Sequence, residues 1–249
     1  MRWLLLCCAL AACGVRLEDR PGGGGGDDAT TPPGDDAPSP PPIDAPPTCS
    51  NGRVVYLNFN GQTLTQQLSG SDATQNRASW MTIASGTAPR YQTNLANRNQ
   101  LIQDVTDGIR AQLSSFPITV VTTRPPTGPY VMIVFGGTAT QVGSRFGGAV
   151  TTLDCTDAKK SDLAWISDLV SPTQRVVNFA VGAVGFGIGL TATLDPKDCM
   201  CGWDNNCTSD NSVACTLSPM IMRDPAARQL CAGVTTQDEV AAFDAAFCR

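Results

Sequence analysis

From Val176 to Leu194 the chain runs nineteen residues without a charge, VVNFAVGAVGFGIGLTATL, with glycines at Gly182, Gly185, Gly187 and Gly189. No other stretch is as long and as apolar, so it is the natural centre of any fold. Nineteen residues reach the length of a bilayer span, and Gly185 and Gly189 make a GxxxG pair. Against a span stand Asn178, Thr191 and Thr193, and glycines each of which costs a helix about 1 kcal/mol in water. The glycines read GxxGxGxG, which is neither a dinucleotide fingerprint nor a Walker loop, and no Lys-Ser or Lys-Thr follows. The reading that remains is a buried helix at the centre of a globular domain.

The elements around it predict a mixed α/β class, α+β in layout, with a mixed sheet, a long helix, this glycine-rich apolar helix and a cysteine-rich C-terminal part. Arg53–Asn60 alternates Val55, Leu57 and Phe59 on one face and closes at Asn60-Gly61, which predicts a strand and turn. Residues 62–91 are polar and rich in Ser, Thr and Gly, and read as mostly irregular. Asn94–Phe116 carries Ile102, Val105, Ile109 and Leu113 at helical spacing, and Pro117 closes it. Ile118–Thr123, Tyr130–Gly137 and Leu163–Ile166 read as strands. Near the C-terminus Thr236-Gln237-Asp238-Glu239 has the form of a capping box ahead of Val240–Phe247, which assigns Glu239 to the helix start.

The segment Gly182–Ala192 resembles the active-site helix of the zincin metalloproteases of the metzincin type, HExxHxxGxxH, when it is aligned on Gly185, Gly189 and Leu190. The motif's glycine falls on Gly189, and Ser218-Pro219-Met220-Ile221-Met222 is similar to the family's Met-turn. The resemblance covers roughly residues 50–249 and implies a zincin-like fold. It also implies where a metal site would lie: the histidines would fall on Gly182, Phe186 and Ala192 and the catalytic glutamate on Ala183. None of these side chains can ligate zinc or move a proton, and the chain contains no histidine. The resemblance therefore implies a pseudo-enzyme with no metal and no cofactor.

At the N-terminus, MRWLLLCCALAAC has a basic start, a short apolar core and small residues before Cys13. It reads as a secretory signal over residues 1–12. Leu10-Ala11-Ala12-Cys13 resembles the bacterial lipobox. That resemblance implies cleavage before Cys13, lipidation of its sulfur and anchoring in the cell envelope, at the outer membrane or cell surface rather than the inner membrane. Residues 13–48 contain a five-glycine run and nine prolines and almost nothing apolar, the composition of an extended, disordered tether. Arg16 and Arg20 against Glu18, Asp19, Asp27, Asp28, Asp35, Asp36 and Asp44 give this tether most of the chain's negative charge. Residues 49–249 are then nearly neutral and long enough for a single domain. With no basic stripe, nucleic acid is excluded as a partner.

Eight cysteines remain beyond the anchor: Cys49, Cys155, Cys199, Cys201, Cys207, Cys215, Cys231 and Cys248. An even number in an exported domain predicts disulfides, with 105 pairings open. The Cys199–Cys215 cluster lacks the paired knuckles of a zinc site, and Asp204, Asn205, Asn206 and Asp210 do not follow an EF-hand loop, which leaves a solvated turn. Without histidine, catalysis would have to rest on aspartates such as Asp154, Asp157, Asp162 and Asp168, or on a Ser-Lys pair at Lys159 or Lys160. Of these, Asp157–Asp162 reads as a solvated turn. The functional expectation is a lipid-anchored envelope protein whose domain binds a peptide, a polymer or a partner protein without catalysis. The alternatives are a hydrolase with an unrecognised Asp-based or metal-dependent site, and a purely structural lipoprotein.

Overall fold

A computed structural model describes residues 53–247. The signal at 1–12, Cys13, the tether at 13–48, Cys49 and Cys248 lie outside the described residues. In chain order the elements are β1 (Val54–Asn58), β2 (Gln62–Gln66), β3 (Arg77–Ala78), β4 (Ser85–Ala88), α1 (Arg98–Gln112), β5 (Thr119–Val121) and β6 (Tyr130–Phe135). They continue with α2 (Ala139–Val142), β7 (Ala149–Val150), β8 (Leu163–Ile166), α3 (Thr173–Gly187), β9 (Ile221–Met222), β10 (Thr236–Gln237) and α4 (Glu239–Phe247). The fold is mixed α/β, as the sequence predicts.

The main sheet has the order β5-β1-β6-β8-β7, parallel except for β7, which pairs antiparallel with β8 at the edge. β6 is buried on both faces along its whole length, the burial expected of a central parallel strand and the reason YVMIVF shows no alternation. One face of the sheet, with Val55, Leu57, Ile133, Phe135 and Ile166, packs against α1 and α3. The other face, with Tyr56, Met132, Val134 and Trp165, is covered by a small sheet of order β3-β2-β4. That second sheet corrects the expectation of irregular chain across residues 62–91. Each of its strands turns inward only one or two small or apolar residues, such as Leu64, Ala78 and Ala88, so the period-two signal is faint.

α3 is the predicted glycine-rich helix, and a glycine of α1 and one just past its own end shape how it packs and stops. At the crossing with α1, a β-carbon on Gly108 would stand 2.8 Å from Val177 Cγ2, so the two backbones approach closely only because α1 has no side chain there. The helix ends at Gly189, whose φ of +100° lies outside the helical range. Leu190 N donates to Gly185 O at 3.0 Å and Gly189 N to Phe186 O at 3.2 Å, the paired bonds of a Schellman ending. α3 spans fifteen residues, and among the described residues no helix is long and apolar enough to cross a membrane.

Candidate functional site

Phe186 follows Gly182 by one turn of α3, so the two share a face. In front of that face lies the loop from Asp195 to Thr216, which carries Trp203. The Trp203 ring stacks on Phe186 at 5.3 Å between centroids and 20° between planes, and meets Phe179 edge-on at 6.3 Å. Gly182 makes room for this loop: a β-carbon there would collide with Trp203 Nε1 and with the Cys199 carbonyl. The space where the resemblance puts a metal is therefore filled by an indole. Ala183 is buried in the helix core, and Ala192, also buried, accepts a hydrogen bond from Asp224 N through its carbonyl. None of the four positions offers a ligand.

Two disulfides stiffen the loop. Cys199 pairs with Cys215 and Cys201 with Cys207, which consumes all four sulfurs of the cluster and leaves none for zinc. A third, Cys155–Cys231, ties the C-terminal segment to the chain ahead of β8. Asn178 anchors the loop to α3. Its Oδ1 accepts from Cys215 N at 3.0 Å and from Gln112 Nε2 and Gln174 Nε2, while Nδ2 donates to Val213 O at 3.1 Å. In the sequence this residue stood out only as an objection to a membrane span.

Between the loop, α3 and the sheet edge is a cleft of about 450 Å³. Its floor is Phe179 and Phe186. One wall is Phe146–Thr151, which includes β7, and the other is the disulfide loop with Trp203, Asn205, Ser209 and Asn211. Among the described residues Arg175 is the one charged side chain lining it, and its guanidinium lies 5.1 Å above the Phe179 ring. The β7 edge presents backbone to the cleft. Gly148 O accepts from Ser167 N and Ala149 faces Ile166 across the ladder, so the alternation of an antiparallel pair turns Ala149 N–H and C=O away from β8.

Of the aspartates considered for catalysis, Asp154, Asp157 and Asp162 lie close enough to act on one another, with Arg53 and Lys160 among them, and none of the four lines the cleft. Asp168 accepts from Gln92 N and Gly137 N, and Asp154 from Thr156 N and Lys159 N. Asp157 pairs with Arg53 at 2.7 Å and with Lys160, which also occupies that lysine. Asp157 and Asp162 are buried, which corrects the solvated-turn reading at those two positions, although Ala158, Lys159 and Lys160 between them are exposed. Burial pushes the Asp162 carboxyl up to about 8 despite the neighbouring Arg53, so it is a neutral acid at pH 7.

The C-terminal expectations need two corrections. Met220 and Met222 of the Met-turn-like stretch are exposed, at 78% and 63%; the methionine that packs under α3 is Met200, whose Sδ would lie 2.8 Å from a β-carbon at Gly185. Glu239 does not cap α4: Asp238 does, accepting from Ala241 N at 2.8 Å. Glu239 is instead fully buried, with Oε2 accepting from Ser218 N, Oε1 accepting from Gln237 Nε2, and its carboxyl in hydrogen-bond contact with that of Asp198. Burial raises both carboxyls; the Asp198 charge raises Glu239 further, while the hydrogen bond from Glu239 works to lower Asp198. Asp204 likewise meets Asp224 and is raised by burial and by that contact. Of the other residues read as a solvated turn, Asn205 and Asn206 are exposed turn residues, and Asp210 takes part in a turn with Ser212. Among the described residues no group of three or more metal-ligating side chains comes together.

No protein-family model matches the chain, and no curated protein matches it.

Proposed function

We propose that this chain is a lipid-anchored cell-envelope protein whose folded part is a zincin-like domain without metal or catalysis, and that its cleft binds an extended peptide segment. The observation that carries the binding reading is the juxtaposition of an unpaired sheet edge with an aromatic floor. Ala149 offers one outward backbone donor and one acceptor, and Phe179, Phe186 and Trp203 lie beside them. Strand addition to such an edge takes its affinity from main-chain hydrogen bonds and its selectivity from the neighbouring side-chain pockets. Arg175 favours a segment with a carboxylate placed near Phe179.

The lining of the cleft is what supports a reading without catalysis. Apart from Arg175, the cleft wall contains amides, hydroxyls, aromatic rings and a disulfide sulfur, and no group that titrates near neutrality. The zincin-like part of the proposal is supported by the Gly189 turn that ends α3 and by Gly182 and Phe186 sharing, one turn apart, the α3 face that the Trp203 loop covers. The lipid anchor rests on Leu10-Ala11-Ala12-Cys13 alone. The binding test is a titration of the full chain with extended peptides, acidic and neutral, followed by Trp203 fluorescence. Saturable quenching that Arg175→Ala weakens for acidic peptides alone supports the reading. Peptides that raise the melting temperature without touching Trp203 would place binding elsewhere.

A further inference from the structure

On the N-terminal side of Ala149 the β7 edge ends in a bend whose free backbone groups are mostly donors. Among the described residues neither Gly147 N nor Gly148 N has a hydrogen-bond acceptor. The carbonyls beside them are largely taken: Gly148 O accepts from Ser167 N at 2.8 Å and Phe146 O from Ser144 Oγ at 3.0 Å. Phe146 N in turn donates to Ser144 Oγ, so the chain ahead of Gly147 is closed on itself. That leaves Gly147 O as the one unpartnered carbonyl of residues 146–148 among the described residues. The approach is open, since a β-carbon on Gly147 would meet nothing within 4 Å.

A cation stands over the same place. A β-carbon on Gly148 would touch Phe179 Cε2 at 3.4 Å, and the Arg175 guanidinium lies over that ring at 5.1 Å. Arg175 forms no ion pair among the described residues. It sits in the first turn of α3, where the helix dipole disfavours a cation, and α3 has no acid in that turn to offset it. An anion brought from outside would satisfy both the guanidinium and the helix start.

We propose, building on strand addition at Ala149, that the cleft captures the carboxyl terminus of a polypeptide, its terminal carboxylate lying on the N–H groups of Gly147 and Gly148 and on Arg175. The balance of donors and acceptors separates a terminus from an internal stretch. An internal residue brings one C=O and one N–H, which leaves two of these three donor groups without an acceptor. A terminal residue brings one N–H for Gly147 O and a carboxylate that takes several donors at once. Successive backbone N–H groups at a bend make the kind of concavity that holds terminal carboxylates. An acidic side chain offers the same group, but its main chain would run on past Gly147, where Phe146 has no free N–H or C=O. With its end at Gly147 the peptide runs antiparallel to β7. Phe179 and Val170 beside Gly148 make the ground under the last residue apolar, which favours an apolar terminal side chain.

The test offers the full chain a pool of random synthetic heptapeptides in two forms, free acid and terminal amide, and reads the captured peptides by mass spectrometry. Free acids ending in apolar residues should be enriched over the matched amides at least about tenfold, because the amide loses the charge-assisted bonds. Arg175→Gln, at an exposed position, should cut that preference severalfold. Equal capture of acids and amides overturns the proposal and leaves strand addition standing. Amides with an internal aspartate or glutamate captured as well as the free acids do the same. An acid preference that Arg175→Gln does not reduce also overturns it, since the carboxylate then lies away from the bend. Capture of neither form overturns strand addition itself, and the proposal with it.

Discussion

At Asn178 one amide serves three donors and one acceptor within the otherwise apolar Val176–Gly187 part of α3. Removing a buried partner leaves its donors desolvated, which costs more than the bond itself contributes. Asn178→Ala is therefore expected to lower the unfolding free energy by about 2–4 kcal/mol in urea titrations. It should also loosen the disulfide loop near Val213, as faster amide exchange at Cys215 would register. Gly182→Ala is a second case: a single methyl must displace Trp203 or the Cys199 carbonyl, so a loss of about 1–3 kcal/mol is expected on thermal or urea unfolding. Neither role was legible from residue type. Asn in an apolar run signals a buried partner without naming it, and the partners here lie 35–66 residues away in sequence, apart from Gln174. Glu239 was misassigned for a related reason: a capping-box spacing fits a local hydrogen bond, while burial against Asp198 depends on a contact that no local pattern encodes.

Elements were legible in proportion to the apolar signal of their own sequence. β1, α1, β6, β8 and α3 each carry several core residues and fall where their apolar runs or periodicity predict them. β2, β3 and β4 bury one or two side chains apiece under the sheet and passed for loop. The end of α3 was marked by its glycine. At Gly189 the +100° φ leaves no comfortable place for a side chain, and a β-carbon would also press on the Asp154 and Cys155 carbonyls at 3.0 and 2.9 Å. Gly189→Ala is expected to cost about 1–3 kcal/mol, which urea unfolding would measure. A change within a few tenths would show that the helix ending tolerates the strain.

For the whole molecule, the buried acids make stability depend on pH in an unusual sense. Asp162, Asp198 and Glu239 all hold their protons more tightly folded than unfolded, with Asp162 and Glu239 raised to about 8. The native state then binds more protons than the unfolded chain between the ordinary carboxyl range and about pH 8, so stability falls as pH rises across that window. The melting temperature is expected to be higher near pH 5 than near pH 8.5, and calorimetry at the two would register the difference; a higher value at the alkaline end would refute the assignment. At the other end of the chain, Cys13→Ser is expected to move the protein from the membrane fraction to the soluble fraction. A protein that stayed with the membrane would show that something other than Cys13 lipid holds it.

Peptide binding at the β7 edge and its aromatic floor can be put to one measurement. Ala149→Pro removes the outward N–H, while the ladder to β8 runs through Gly148 and Val150 and an edge strand tolerates proline at such a place. Random peptides selected by display on the wild-type full chain should quench Trp203 and compete with one another. Each should bind the Ala149→Pro variant at least about tenfold more weakly, the loss of roughly one main-chain hydrogen bond in a desolvated site. Selected peptides that bind the proline variant as tightly as wild type would contradict the account.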